Sequence, residues 1–202
     1  MNIVIIDTKS GNIGSLKNAL DYLGLPSKVS NDRKDLNASS HLILPGVGSY
    51  INFMEILNSL ELIDTLKENI LNKKKPFLGI CVGMQVLSSF GLENGKCKGL
   101  GLIDGEVKII PTRNKIPHIG WNSIEIKYED EILKDIDNLS YFYFVHSYCF
   151  FLDNQKNLLS KTSYGFEIPS IIKKNNIYGV QFHPEKSQKK GLKLLENFSN
   201  LK

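Results

Sequence analysis

A cysteine set between two glycines, where an apolar run gives way to a helical pattern, is the side chain best placed for covalent chemistry. The stretch reads Pro76-Phe-Leu-Gly79-Ile-Cys81-Val82-Gly83-Met-Gln85. It has the form of a nucleophile elbow with cysteine in the serine position. A sharp strand-to-helix turn forces the nucleophile into a strained backbone geometry, and glycines two residues to either side make room for it. The helix that follows aims its positive end at the sulfur and favours the thiolate, the reactive species. The N–H of Val82 then points at the oxyanion formed when sulfur attacks a carbonyl. A cysteine nucleophile needs a base, and the base needs a group to orient it. Val180-Gln-Phe-His183-Pro184-Glu185 offers both. Pro184 disfavours a helix and favours extension at His183, so His183 and Glu185, two apart, are expected to point the same way.

Each of these residues also has a plainer reading. Free cysteines are usually small buried hydrophobes, but a simple buried strand end needs neither Gly79 nor Gly83. Cys97, in a loop of glycine and lysine, and Cys149, in an aromatic strand, lack such a setting and read as structural. So does His41, while His118 has unusual neighbours. Leu44-Pro-Gly46-Val47-Gly48 ends a strand at a glycine turn. By itself it is an ordinary strand-to-helix loop. Beside an elbow at the same sheet edge it becomes an oxyanion strand, because ligands bind at the strand ends of open α/β sheets.

The elements that must position these groups alternate in the first half. Asn2–Asp7, Ser27–Ser30, His41–Leu44 and Pro76–Ile80 read as strands. Ile13 to Leu23 recur at helical spacing, Ile51 to Ile70 mark one long or broken helix, and Val82–Phe90 reads as helical. Strand alternating with helix predicts an open, mostly parallel sheet with helices on both faces. The second half is rich in strands: Glu106–Ile110, Ser123–Lys127, Tyr141–Val145, Leu158–Thr162, Ser170–Lys174 and Tyr178–Phe182. Turn residues such as Lys174-Asn-Asn176 suit antiparallel hairpins. A last helix runs from about Gly191 to Phe198. With no linker or repeat, residues 1–202 read as one mixed α/β domain.

The chain's 202 residues carry 25 basic and 21 acidic side chains, a net charge of +4. The basic residues are scattered, and the short runs Lys73–Lys75 and Lys189–Lys190 lack interleaved aromatics, which argues against nucleic-acid binding. No segment has the length of a membrane-spanning helix, and the apolar run after Met1 lacks the form of a signal peptide. Three cysteines without metal-like spacing fit a reducing cytoplasm and give no metal site. No cofactor is implied.

With Cys81, His183 and Glu185 identified, the chain resembles the class I glutamine amidotransferases. Gly-Ile-Cys81-Val-Gly-Met-Gln85 and Gln-Phe-His183-Pro-Glu185 are similar to that family's two motifs, in the family's order. Pro117-His118-Ile-Gly-Trp121-Asn122, Phe142-Tyr143-Phe-Val-His-Ser147-Tyr148 and Glu185-Lys-Ser187 resemble, within it, the glutaminase subunits of imidazole glycerol phosphate synthases. The resemblance spans essentially the whole chain. It implies Cys81 as nucleophile, His183 as base and Glu185 as its orienter. Gln85 and the backbone near Ser147 would hold glutamine, and Gly46, Val47 and Gly48, with Val82, would supply the oxyanion hole. Asn12, Trp121 and Tyr143 would lie at the partner interface and ammonia gate. The implied partner is a (β/α)₈-barrel cyclase subunit that uses the ammonia in histidine biosynthesis. One stretch departs: the family has Asp-Tyr-Gly-x-Gly-Asn after the first strand, where this chain has Asp7-Thr8-Lys9-Ser10-Gly11-Asn12. Relatives of these subunits also supply ammonia to barrel-like partners in amination of surface sugars, which is the alternative acceptor. The residues themselves leave open a cysteine peptidase or γ-glutamyl hydrolase, and a non-catalytic flavodoxin-like module. Release of ammonia from free glutamine separates the first, and thiol reactivity protected by glutamine separates the second.

Overall fold

The computed structural model describes residues 2–9 and 12–202. In the first half, strands β1 (Ile3–Ile6), β2 (Ser27–Ser30), β3 (His41–Gly46) and β4 (Phe77–Cys81) alternate with helices α1 (Ile13–Tyr22), α2 (Arg33–Ala38), α3 (Tyr50–Ser59) and α4 (Ile63–Lys67). A single-turn helix α5 (Val82–Gln85) follows β4 directly, then come β5 (Phe90–Gly91), β6 (Cys97–Lys98), β7 (Gly105–Ile109), β8 (His118–Ser123) and β9 (Glu125–Ile126). The chain continues through β10 (Tyr141–His146), β11 (Tyr148–Leu152), β12 (Leu158–Ser163), β13 (Glu167–Lys174) and β14 (Ile177–Val180) to helix α6 (Gln188–Ser199). An eight-stranded sheet in the order β2-β1-β3-β4-β14-β13-β12-β9 forms the frame. Its β2-to-β14 half is parallel, and the remainder is antiparallel. The order reverses at β1, so right-handed crossovers send α1 to one face and α2 to α4 to the other. Accordingly α1 packs with α6, and α2 with α4. Every residue of β1, β3, β4 and β14 is buried, as in a sheet covered on both sides.

Two smaller sheets sit against this frame. One is the pair β8–β10, the other the sheet β11-β7-β5-β6. Phe182, just past β14, joins the pair to the main sheet: its ring stacks on Phe142 at 4.1 Å and meets Phe144 edge-on at 5.6 Å.

Several expected boundaries shift. The strand anticipated over His41–Leu44 runs on to Gly46, because a parallel strand keeps its register with β4 through Pro45, which faces Ile80. The helix anticipated over Val82–Phe90 stops at Gln85, since the Leu100 and Leu102 amides donate to the Val86 and Leu87 carbonyls. The long helix from Ile51 breaks near Leu60–Leu62, where Glu61 has a positive φ of 50°. The apolar pattern discloses neither helix α2 nor strands β5, β6 and β11. Ser123–Lys127 divides: its first residue closes β8, and Glu125–Ile126 form β9.

Gly79 and Gly83 are there because neighbouring backbone leaves no space. A Cβ on Gly83 would stand 1.9 Å from the Leu44 carbonyl oxygen, and one on Gly79 would stand 2.4 Å from the Gly83 oxygen. Neither contact involves a flexible side chain, so relief requires separating β3, β4 and α5. Gly14, inside α1, has nothing within 4 Å of the same position. Gly83→Ala is therefore expected to destabilise the chain by about 3 kcal/mol or more, the upper range of overpacking. Gly14→Ala should stabilise it by up to about 1 kcal/mol through helix propensity. Urea midpoints of the two variants check both signs.

Candidate active site

The three strands that carry the predicted chemistry are neighbours. Gly46 of β3 lies opposite Cys81 of β4, and Val180 of β14 lies opposite Ile80. Because all three run parallel, the loop after Gly46, the Cys81 side chain and the His183 segment leave the same sheet edge. Cys81 has φ 54° and ψ −110°, a strained backbone for a non-glycine residue, and it immediately precedes α5. Its sulfur lies 3.8 Å from the Val145 carbonyl oxygen and 3.8 Å from Gln181 Nε2. The sulfur is also one of the groups that favour a charged His183 imidazole, and both residues line the same cleft. His183 Nδ1 in turn bonds to Glu185 Oε1 at 2.8 Å, with both side chains almost fully buried.

The route by which Glu185 reaches His183 differs from the expectation. His183 is extended (φ −98°, ψ 98°), but Pro184–Lys186 form a 3₁₀ turn rather than a continued strand. Proline's fixed φ suits the first position of such a turn. The turn is closed by Lys186 N–H donating to the His183 carbonyl at 3.1 Å and by Ser187 Oγ donating to the same oxygen at 2.6 Å. The carboxylate thus curls back onto the imidazole. The His183 N–H donates to the Tyr143 carbonyl at 2.9 Å, tying the base to β10.

A cleft of about 320 Å³ opens at Cys81, and its walls include Val47, Gly48, Val82, Gln85, His146, Ser147, Tyr148 and His183. Gly46 does not line it. This residue is inside β3, and a Cβ there would meet the Gly83 nitrogen at 2.7 Å and the Phe53 ring at 2.8 Å, so it serves packing. Gly48, with φ 92°, turns the loop at the rim. Gln85 points its amide inward, donating to the Tyr148 carbonyl at 3.0 Å and to Gln181 Oε1 at 3.1 Å. Two charged residues at the cleft, Glu93 and Lys186, were not among those expected to bind. Glu93 caps α3 by accepting from the Tyr50 N–H at 2.7 Å. An isolated acid in a loop carries no periodic or spacing signal that would single it out.

Of the residues expected at a partner face, Trp121 is 45% exposed and meets the Tyr143 ring edge-on at 6.0 Å. Asn12 lies against the buried carboxylate: its Nδ2 is 3.4 Å from Glu185 Oε1, and Ser15 Oγ donates to its Oδ1 at 2.8 Å. In the departing segment, Lys9 holds a left-handed φ of 54°, with its N–H donating to Asp7 Oδ1 at 2.8 Å. A glycine would adopt that conformation without the roughly 1–2 kcal/mol a Cβ costs. Gly11 and Ser10 lie outside the described residues. Among those described, no group of three or more His, Cys, Asp or Glu side chains could hold a metal ion, and no helix is long and apolar enough to cross a membrane.

Known proteins resemble this chain over nearly its whole length. The family model "Glutamine amidotransferase class-I" matches residues 4–200. The imidazole glycerol phosphate synthase subunit HisH of Aquifex aeolicus is 46% identical over 199 residues, covering 98% of this chain and 96% of its own. HisH 1 of Campylobacter jejuni is 46% identical over 202 residues, covering 98% and 100%. Among solved structures, PurLQS from Thermotoga maritima superposes with a TM-score of 0.77 at 16% identity, over 98% of this chain and 97% of the other. A crystal structure described as a glutamine amidotransferase gives 0.76 at 18% identity, over 97% and 98%.

The four histidines divide by electrostatics. Burial alone would lower the His183 pKa, but the bonds to Cys81 and Glu185 outweigh it and push the imidazole up to about 10. Burial holds His118 down at about 4, and burial holds His146 down at about 3 despite its bond to the Tyr148 carbonyl. Burial also lowers His41, which bonds to the Leu201 carbonyl at the far end of the sheet. Cys149, buried in β11, is pushed up to about 12, and burial likewise raises Cys97, in keeping with structural roles for both. Unfolding returns each histidine to about 6.5. For His118 and His146 the unfolded chain binds more protons below that value, so their contribution is complete above pH 6.5 and is lost as pH falls toward about 4 and about 3. For His183 the contribution is complete below pH 6.5 and is lost as pH rises through about 10. Thermal melting across pH should therefore show acid-side and alkaline-side declines. His146→Asn should shrink the acid-side decline, and His183→Asn the alkaline one.

Proposed function

The chain belongs to the class I glutamine amidotransferase family, and from that premise we propose that it is the glutaminase subunit of an imidazole glycerol phosphate synthase, acting in the cytoplasm as one domain. The observation that carries the reading is the meeting of Cys81 with a buried His183–Glu185 pair at the end of three adjacent parallel strands. The Cys81 thiolate adds to the side-chain carbonyl carbon of glutamine. Negative charge develops on the carbonyl oxygen, and the N–H groups of Val82 and the Val47–Gly48 loop receive it. The His183 imidazolium gives its proton to the departing nitrogen, so ammonia leaves and a γ-glutamyl thioester remains. His183, now neutral, takes a proton from water. The hydroxide adds to the thioester, and loss of the thiolate yields glutamate. Glu185 keeps the imidazole oriented and favours its charged form.

The cleft supports glutamine as substrate. Gln85 and the Ser147–Tyr148 backbone present amide and carbonyl groups, and Glu93 places a carboxylate where an α-ammonium group would be matched. Ammonia passes to a (β/α)₈-barrel cyclase subunit docked over Asn12, Trp121 and Tyr143, which uses it to form imidazole glycerol phosphate in histidine biosynthesis. The 39% exposure of Val47 leaves the oxyanion loop within reach of such a partner, whose binding completes the hole and raises a low basal activity. Cys81→Ala is expected to lower glutamine hydrolysis at least about thousandfold, in line with loss of a catalytic nucleophile. The same variant, mixed with the cyclase subunit, should still yield product from ammonium salt. Retained hydrolysis would remove Cys81 from the mechanism. Hydrolysis by the unmutated chain without any product from the cyclase would transfer the ammonia to another acceptor, such as a partner in surface-sugar amination.

A further inference from the structure

The buried pair His118 and His146 belongs to neither the triad nor the list of expected binding groups, yet it is joined to the cysteine by continuous hydrogen bonds. The pair faces across β8 and β10 in register, His146 opposite His118. His146 Nδ1 lies 2.9 Å from the Tyr148 carbonyl, an acceptor only, so that nitrogen carries the proton and Nε2 is a free acceptor. His118 Nδ1, 3.1 Å away, must then donate to it. That leaves His118 Nε2 as an acceptor, and Asn122 Nδ2 donates to it at 3.2 Å. The Asn122 amide cannot turn over, because its other N–H reaches the Ser163 carbonyl at 2.9 Å and its oxygen accepts from the Ser123 N–H at 2.9 Å. Every donor therefore meets an acceptor only if both rings are neutral. The His118 ring is held flat between Tyr164 and Phe144, at 4.1 and 5.0 Å.

The Tyr148 carbonyl receives a second bond, from Gln85 Nε2 at 3.0 Å. Gln85 passes its remaining N–H to Gln181 Oε1 at 3.1 Å, and Gln181 Nε2 faces the Cys81 sulfur at 3.8 Å. We propose that His118 and His146 are positioning residues: by fixing the Tyr148 carbonyl they orient the Gln85–Gln181 amide pair, so that one Gln181 N–H stays directed at the Cys81 sulfur. The catalytic meaning of this relay rests on the glutaminase reading, but its effect on the sulfur can be measured without glutamine.

The test compares His146→Asn with His146→Phe in the full-length chain, reading alkylation of Cys81 by iodoacetamide at fixed pH through mass analysis of the peptide carrying it. The Asn amide can still donate to the Tyr148 carbonyl, while Phe fills the space and donates nothing. Losing one hydrogen bond to a buried polar group corresponds to roughly tenfold. We expect about that slowing in His146→Phe and substantially less in His146→Asn, with kcat for glutamine hydrolysis following the same order. A packing role gives the reverse order and overturns the proposal. Gln181→Leu combined with His146→Phe should lose little more than Gln181→Leu alone, since one path is removed twice. Additive losses overturn it as well. If His146→Phe does not fold, His118→Phe, which keeps the aromatic stack, is expected to slow alkylation in the same way, and unchanged alkylation there overturns the relay. Absence of glutamine hydrolysis in the unmutated chain with the alkylation order intact would remove the glutaminase reading and leave the relay standing.

Discussion

The backbone of one residue governs the rest of this molecule. Cys81 stands at φ 54° and ψ −110°, between a buried strand and the first turn of a helix. Such a conformation costs about 1–3 kcal/mol for a side chain with a Cβ. It persists because the surroundings allow nothing else. The Leu44 carbonyl sits where a side chain on Gly83 would be, and the Gly83 carbonyl where one on Gly79 would be. The strands are locked by parallel pairing on both sides of β4. The strain places the sulfur off the end of the strand, beside the helix amides, instead of inside the sheet where an ordinary cysteine would pack.

The base arrives from a residue far along the chain, and pairing brings it. Once β14 lies beside β4 with Gly179 opposite Gly79, His183 must emerge next to Cys81. Its position is then refined by a different sheet. The Tyr143 carbonyl of β10 holds the His183 amide, and Ser187 Oγ, which takes a bond from the Tyr143 N–H at 3.0 Å, donates to the His183 carbonyl. The site therefore forms where the central sheet meets the β8–β10 pair, with Phe182 packed between them. A change in how that pair sits on the sheet would be felt at the imidazole first.

What the sequence disclosed follows from how local each cause is. The elbow is written in consecutive residues, and so are the parallel strands, whose unbroken apolar runs need both faces covered. Glu185 was identified by its spacing from His183, but the 3₁₀ turn was not, since it depends on Ser187 reaching back to a carbonyl. Glycine usually marks a turn, which gives Gly46 the look of an oxyanion-loop residue. Here it is required by the Phe53 ring of the next helix and by the Gly83 backbone, which is distant in sequence. Strand β11 was missed because Tyr148–Leu152 follows β10 after a single residue and pairs with β7, so that one aromatic run serves two sheets. Glu93 and the His118–His146 contact exist only after those sheets assemble.

The opposite charge states of two nearby histidines now have a common cause. His183 is held protonated by the groups that flank it, and its charge is one of the influences that keep His146 neutral, after burial. Neutrality fixes the direction of every bond in the His146–His118–Asn122 chain, because a proton on His146 Nε2 would oppose the one on His118 Nδ1. Paired groups driven apart in this way mark a division of labour. The imidazole beside the sulfur is the one that carries a proton to give at neutrality, while the deeper pair stays neutral and so provides a fixed dipole. A hydrophobic pair in its place could fill the same volume, but the Tyr148 carbonyl would lose a donor, and the amides that run from it to Cys81 would no longer have a single preferred orientation.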